Sequence, residues 1–83
     1  VGSMDLREAF GRNVRRIRQT RDLTIEALAD AASLSYSYVG ELERGRRNPS
    51  LAVIEALAHA LNVSPHILLL SVDRRGKGTP LAG

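Results

Sequence analysis

Apolar residues return at three- and four-residue intervals through most of this chain, and no stretch alternates as a strand would. Leu6, Phe10, Val14 and Ile17 mark one face of a first helix, with Asp5 placed to cap it. Thr24 caps a second helix whose Leu28 and Ala29 face inward, and Leu23 ahead of the cap suits a hydrophobic staple. Ser35 caps a third, with Val39 and Leu42 as its buried stripe and Gly45 as its stop. After the Asn48-Pro49 loop, Ser50 caps a fourth helix carrying Leu51, Ile54, Leu57, Ala58 and Leu61, and Asn62 ends it. Ser64-Pro65 opens a short fifth helix with Ile67, Leu68, Leu69 and Leu70, because proline suits a first turn that needs no N–H. The expected fold is all-α, a compact five-helix bundle with short connections.

Within that pattern, Leu23 to Arg47 (LTIEALADAASLSYSYVGELERGRR) reads as two short amphipathic helices separated by a turn. The second begins with small hydroxyl and aromatic residues and runs into arginines. This is the layout of a helix-turn-helix, whose second helix enters the major groove of DNA.

A chain of 83 residues makes one small domain. Residues 5–70 form it; Val1-Gly2-Ser3 before Met4 (residues 1–4) reads as an expression remnant, and residues 71–83 lack periodicity and read as a mobile tail. Without cysteine there is neither a disulfide nor a thiolate metal site. His59 and His66 have no ligating neighbour at helical spacing, so no metal and no cofactor is expected. No apolar run is long enough to span a membrane and no secretory signal is seen, so a cytoplasmic location is expected. The net charge is +3, and of the 12 basic residues only Lys77 is lysine. Arginine's planar fork suits phosphate and guanine, although it also grips carboxylates.

The segments RNVRRIRQTRDLT, ALADAASLS, SYVGELERGRRNPSL and ALAHALNVSPHILL, in this order, resemble the Cro/C1-type (Xre-like) helix-turn-helix family of phage repressors and bacterial regulators. Together they cover most of Gly11 to Leu70, and the spacing of ERG, NPS, a leucine-rich helix and VSP is the most specific part. The resemblance implies a five-helix bundle of the lambda-repressor-like type. It puts Tyr36, Ser37 and Glu41 where relatives read base edges. It puts Thr24, Ser35, Arg44, Arg46 and Arg47 along the DNA backbone, and makes Arg18 and Glu43 an ion pair between the first and third helices; Tyr38, on the flank of the third helix, reads as a packing or backbone-contacting residue. It departs from the family pattern at Ile25, where glutamine often meets a phosphate, and at Ser33, where the turn usually has glycine.

Several of these positions carry a second reading. Tyr36 could equally pack on the next helix, and Tyr38 could be a packing residue. Glu41 either accepts from a cytosine amine or is a surface carboxylate paired with an arginine. Arg12, Arg15 and Arg16 read as a solvated face. Gly40, inside a helix, suggests close approach to a neighbouring helix or to the DNA.

The expected function is a sequence-specific regulator of transcription, a repressor or autoregulator, that binds double-stranded DNA as a homodimer on a palindrome. Ile67, Leu69 and Leu70 are the candidate dimer surface, because the fifth helix is too apolar to bury every side chain in its own bundle. The alternative is a protein-interaction bundle of the same fold, such as an antitoxin. No nucleophile–base set, metal cluster or phosphate loop is present, so no enzyme is expected.

Overall fold

The structure, a computed structural model, describes residues 5–72 and 78–80. Four α-helices carry the fold: α1 (Leu6–Thr20), α2 (Ile25–Ala32), α3 (Tyr36–Glu43) and α4 (Leu51–Leu61). A 3₁₀ helix, η1 (Pro65–Leu69), follows, and then two short strands, β1 (Leu70–Val72) and β2 (Gly78–Pro80).

Each α-helix starts where a side chain can take up an orphan N–H. Asp5, Thr24, Ser35 and Ser50 accept from Arg7, Ala27, Tyr38 and Val53 respectively. All four helices also stop in one way. Asp22, Ser33, Gly45 and Asn62 have positive φ. In each case the next N–H reaches back five residues: Leu23 to the Arg18 carbonyl, Leu34 to Ala29, Arg46 to Glu41 and Val63 to Ala58, at 2.8–3.1 Å. Only Gly45 adopts this conformation without a Cβ penalty. Asp and Asn tolerate it better than most residues, which leaves Ser33 as the strained stop, at about 1–2 kcal/mol.

The core is built from Phe10, Val14, Ile17, Leu28, Val39, Leu42, Ile54, Leu57, Leu61 and Leu68, with small Ala29, Ala32 and Ala58 between them. α1 crosses α3 at Gly11. A Cβ there would collide with the backbone carbonyl oxygen of Leu42 and lie 2.7 Å from that of Glu43, so this crossing requires glycine. Nothing in the local pattern marked Gly11. The atoms nearest the missing Cβ of Gly40 belong to the Arg44 guanidinium, so the expected close approach to a neighbouring helix is not what this glycine serves.

Four further expectations are corrected. The fifth helix is a single five-residue 3₁₀ segment, too short for regular α-helical bonding, and Leu70 belongs to β1. Part of the expected tail is ordered: Leu70, Ser71 and Val72 pair antiparallel with Pro80, Thr79 and Gly78. The remainder of that tail, residues 73–77 and 81–83, and the leader at 1–4 lie outside the described residues. Leu51 is 80% exposed: it lies in line with Ile54, Ala58 and Leu61 by spacing, but as the first residue of α4 it stands at the end of the helix, beyond the core. Leu6, the first residue of α1, is likewise 50% exposed.

Among the described residues, Asn13 is a polar residue buried within this core. Its amide nitrogen donates to the carbonyls of Leu68 (2.9 Å) and Leu70 (2.6 Å). Its oxygen accepts from Arg16. The end of η1 is thereby tied to the middle of α1.

Candidate nucleic-acid interface

The turn between α2 and α3 is three residues long, Ser33 to Ser35, and its left-handed first residue sets the angle between the two helices. α3 buries Val39 and Leu42 and turns Tyr36 and Ser37 outward. Tyr36 is 58% exposed, so it does not pack into the next helix. Tyr38, on the flank, is half-buried against the core.

Thr24 and Ser35 cap α2 and α3 through their hydroxyl oxygens, at 3.0 and 3.1 Å, and both are exposed. Accepting at oxygen leaves each hydroxyl proton free to donate outward. Two helix N-termini, each with unpaired backbone N–H groups, therefore carry hydroxyls suited to a phosphate.

The back of α3 is fastened to α1. Arg18 Nε donates to Glu43 Oε2 at 2.6 Å and Nη2 donates to Oε1 at 3.0 Å, while Nη1 donates to the Leu23 carbonyl at 2.8 Å. The side chains are only 11% and 4% exposed. A two-pronged pair this well covered holds α3 in a fixed orientation on α1 and leaves its other face clear.

The front edge holds a second pair. Gly45 reverses the chain after α3, and the Arg46 N–H returns to the Glu41 carbonyl. This brings Arg47 over the helix it has just left. Its Nε donates to Glu41 Oε1 at 2.8 Å, and its guanidinium carbon lies 5.6 Å from the centre of the Tyr38 ring. Arg47 holds the Glu41 carboxyl below its ordinary pKa, first by this hydrogen bond and then by its charge, with weaker help from Arg44 and Arg46. Of the two readings open for Glu41, the pairing with an arginine is the one the free protein adopts. Arg44 and Arg46 are exposed, and Arg44 lies across Gly40.

Tyr36, Ser37, Glu41, Arg44, Arg46 and Arg47 thus stand around the exposed side of α3, with Thr24 and Ser35 at the two helix starts. The HTH_3 family, described as helix-turn-helix, matches residues 14–68. The chain belongs to this helix-turn-helix family.

Relatives within and around the family are close. The chain is 40% identical over 76 residues to an uncharacterized HTH-type transcriptional regulator, y4dJ of Sinorhizobium fredii, covering 92% of this chain and 99% of that one. It is 41% identical over 66 residues to the control protein C.SmaI of Serratia marcescens, covering 80% and 79%. Among solved structures, the restriction-modification controller protein C.AhdI from Aeromonas hydrophila superposes with a TM-score of 0.73 at 44% identity, over 75% of this chain and 94% of that one. Ser33 adopts the left-handed conformation at the turn, at a cost in strain that glycine would not bear.

Sequence reasoning had not singled out Gly11, Asn13 or the contact between Glu41 and Arg47. Gly11 and Asn13 interact with residues far along the chain. The Glu41–Arg47 pair spans six positions and depends on the reversal at Gly45, so helical spacing does not reveal it.

Proposed function

We propose that the protein is a transcriptional regulator that binds double-stranded DNA in a sequence-specific manner through α3. The observation that carries this reading is the uncovered outer face of α3, with Tyr36 and Ser37 exposed and Arg44, Arg46 and Arg47 beside them. Tyr36, Ser37 and Glu41 form the base-reading edge. Thr24, Ser35, Tyr38, Arg44, Arg46 and Arg47 line the backbone side, where phosphate contacts fix register. Relatives named as HTH-type regulators and restriction-modification control proteins support the same reading.

One bundle touches few base pairs, so specificity calls for two copies on a palindromic operator. The apolar surface around η1 suits that role. Ile67, Leu69 and Leu70 are half-buried, and Leu69 borders a shallow cavity of about 90 Å³ shared with Leu6, Phe10, Pro49 and Ile54. A second copy would cover Leu6 and Leu69 together. Leu69→Asp then gives monomers by sedimentation with the helical circular dichroism retained; a folded, fully dimeric variant places the dimer contact elsewhere.

The decisive experiment is selection of random duplexes by the purified protein, followed by affinity measurement over a salt series. Binding with about four to six phosphate contacts gives a log–log salt slope near −4 to −5. A salt-independent response, or no enrichment of any duplex, favours a protein-interaction bundle instead.

A further inference from the structure

We infer that Glu41 acts on DNA through Arg47: it is a positioning residue that holds the Arg47 guanidinium over Tyr38 so that its two terminal nitrogens face the O6 and N7 of a guanine. The inference rests on the DNA-binding reading above. It deepens that reading by moving Arg47 from the backbone set to the base-reading edge.

Three observations carry it. Glu41 occupies Nε, the side of the guanidinium nearest the chain, at 2.8 Å. Among the described residues Nη1 and Nη2 make no hydrogen bond, so the two parallel N–H groups at the far end stay available, and end-on pairing with a guanine edge uses those two groups. The position is also held from below, because the Tyr38 ring is half-buried and fixed by the core.

Charge decides between a base and a phosphate. A carboxylate in direct contact with the guanidinium cancels most of its net charge and would itself repel a neighbouring phosphate. Phosphate attraction needs that charge, whereas recognition of guanine needs two well-aimed donors. Arg44 and Arg46 are exposed and, among the described residues, in no ion pair, so they serve the phosphates better. Gly45 completes the device, because its left-handed turn returns Arg47 to Glu41. An added Cβ there would meet the Glu8 backbone at 3.2 Å.

The test is a double-mutant cycle on the full chain, read as base preference by duplex selection and as affinity for the selected and a scrambled duplex. Arg47→Ala should lose preference for guanine at one half-site position by roughly 5- to 150-fold. Glu41→Ala should lose most of that preference at the same position, and the double variant should be no less selective than Arg47→Ala. Glu41→Gln, whose amide oxygen still accepts from Nε, should keep part of it. Glu41→Ala should also bind the scrambled duplex more tightly than the wild type, because a negative charge has gone. Thermal melting controls for folding, which these exposed side chains should leave unchanged. Additive effects, preferences changed at two different positions, or an Arg47→Ala loss equal on all sequences would overturn the inference. A wild-type protein that enriches no duplex would remove the DNA-binding reading itself, and this inference with it.

Discussion

Two arginine–glutamate pairs lie on opposite sides of α3, and their surroundings give the same chemistry two different uses. Arg18–Glu43 is covered, with side-chain exposures of 11% and 4%, and it is doubly bonded. Arg47–Glu41 is open at 55% and 37%, with a single bond. A covered pair cannot lose one member without stranding the other charge away from water. An exposed pair contributes little to folding, because solvent screens it and either member can be hydrated alone. The first therefore fixes where α3 sits, and the second orients a side chain at the surface while adding little to folding.

The largest effect expected from breaking this contrast is at the covered pair. Glu43→Ala should destabilise the fold by about 3–5 kcal/mol in urea unfolding, since the Arg18 guanidinium is left buried without its carboxylate. Replacing both at once, as Arg18→Met with Glu43→Leu, should recover much of that loss, although the Leu23 carbonyl then lacks its donor. Recovery to near wild-type stability with unaltered base preference would show the covered pair to be purely architectural.

A smaller effect is expected at the crossing beside it. Gly11→Ala drives a methyl into the carbonyls of Leu42 and Glu43. Backbone cannot yield as a flexible side chain does, so about 1–3 kcal/mol of stability should be lost. The shift should disturb the Arg18–Glu43 geometry while leaving Arg47 on Glu41. Next comes the turn. Ser33→Gly should raise stability by up to about 1 kcal/mol, since the left-handed residue loses its Cβ strain, less the greater entropy of glycine in the unfolded chain. Neither pair should change, which makes this variant the control for the other two.

The smallest effect concerns protonation of the open pair. Folding lowers the Glu41 pKa, so the pair's contribution is present above the carboxyl's unfolded value and fades as pH falls through the lower folded one. Carbon-detected NMR titration of the Glu41 side chain should show a midpoint below that of an unpaired glutamate. In Arg47→Ala the midpoint should return most of the way, with Arg44 and Arg46 keeping a remnant of the depression.

Much of the fold was legible in the residues because helix starts are written locally. Asp5, Thr24, Ser35 and Ser50 each cap the helix they precede. The inward stripes of α2 and α3 follow from spacing alone. Legibility failed where a local pattern had no say. Leu51 fits the apolar spacing but occupies the first position of α4, at the end of the helix and beyond the core. The run from Ile67 to Leu70 is apolar throughout, so it has no period to separate a 3₁₀ segment from an α-helix. At the site, the residues around α3 could be nominated from the resemblance, but the joining of Glu41 to Arg47 depends on the reversal at Gly45.

The Asn13 amide has a consequence for how the chain matures. Its two acceptors are 55 and 57 residues downstream, so a nascent chain cannot satisfy that amide until Leu70 has left the ribosome. Until then a polar group destined for the interior stays hydrated, and closing the bundle over it early would cost about 1–3 kcal/mol. Completion of the interior around Asn13 is thereby deferred to the emergence of η1 and β1, long after α1 itself has been made.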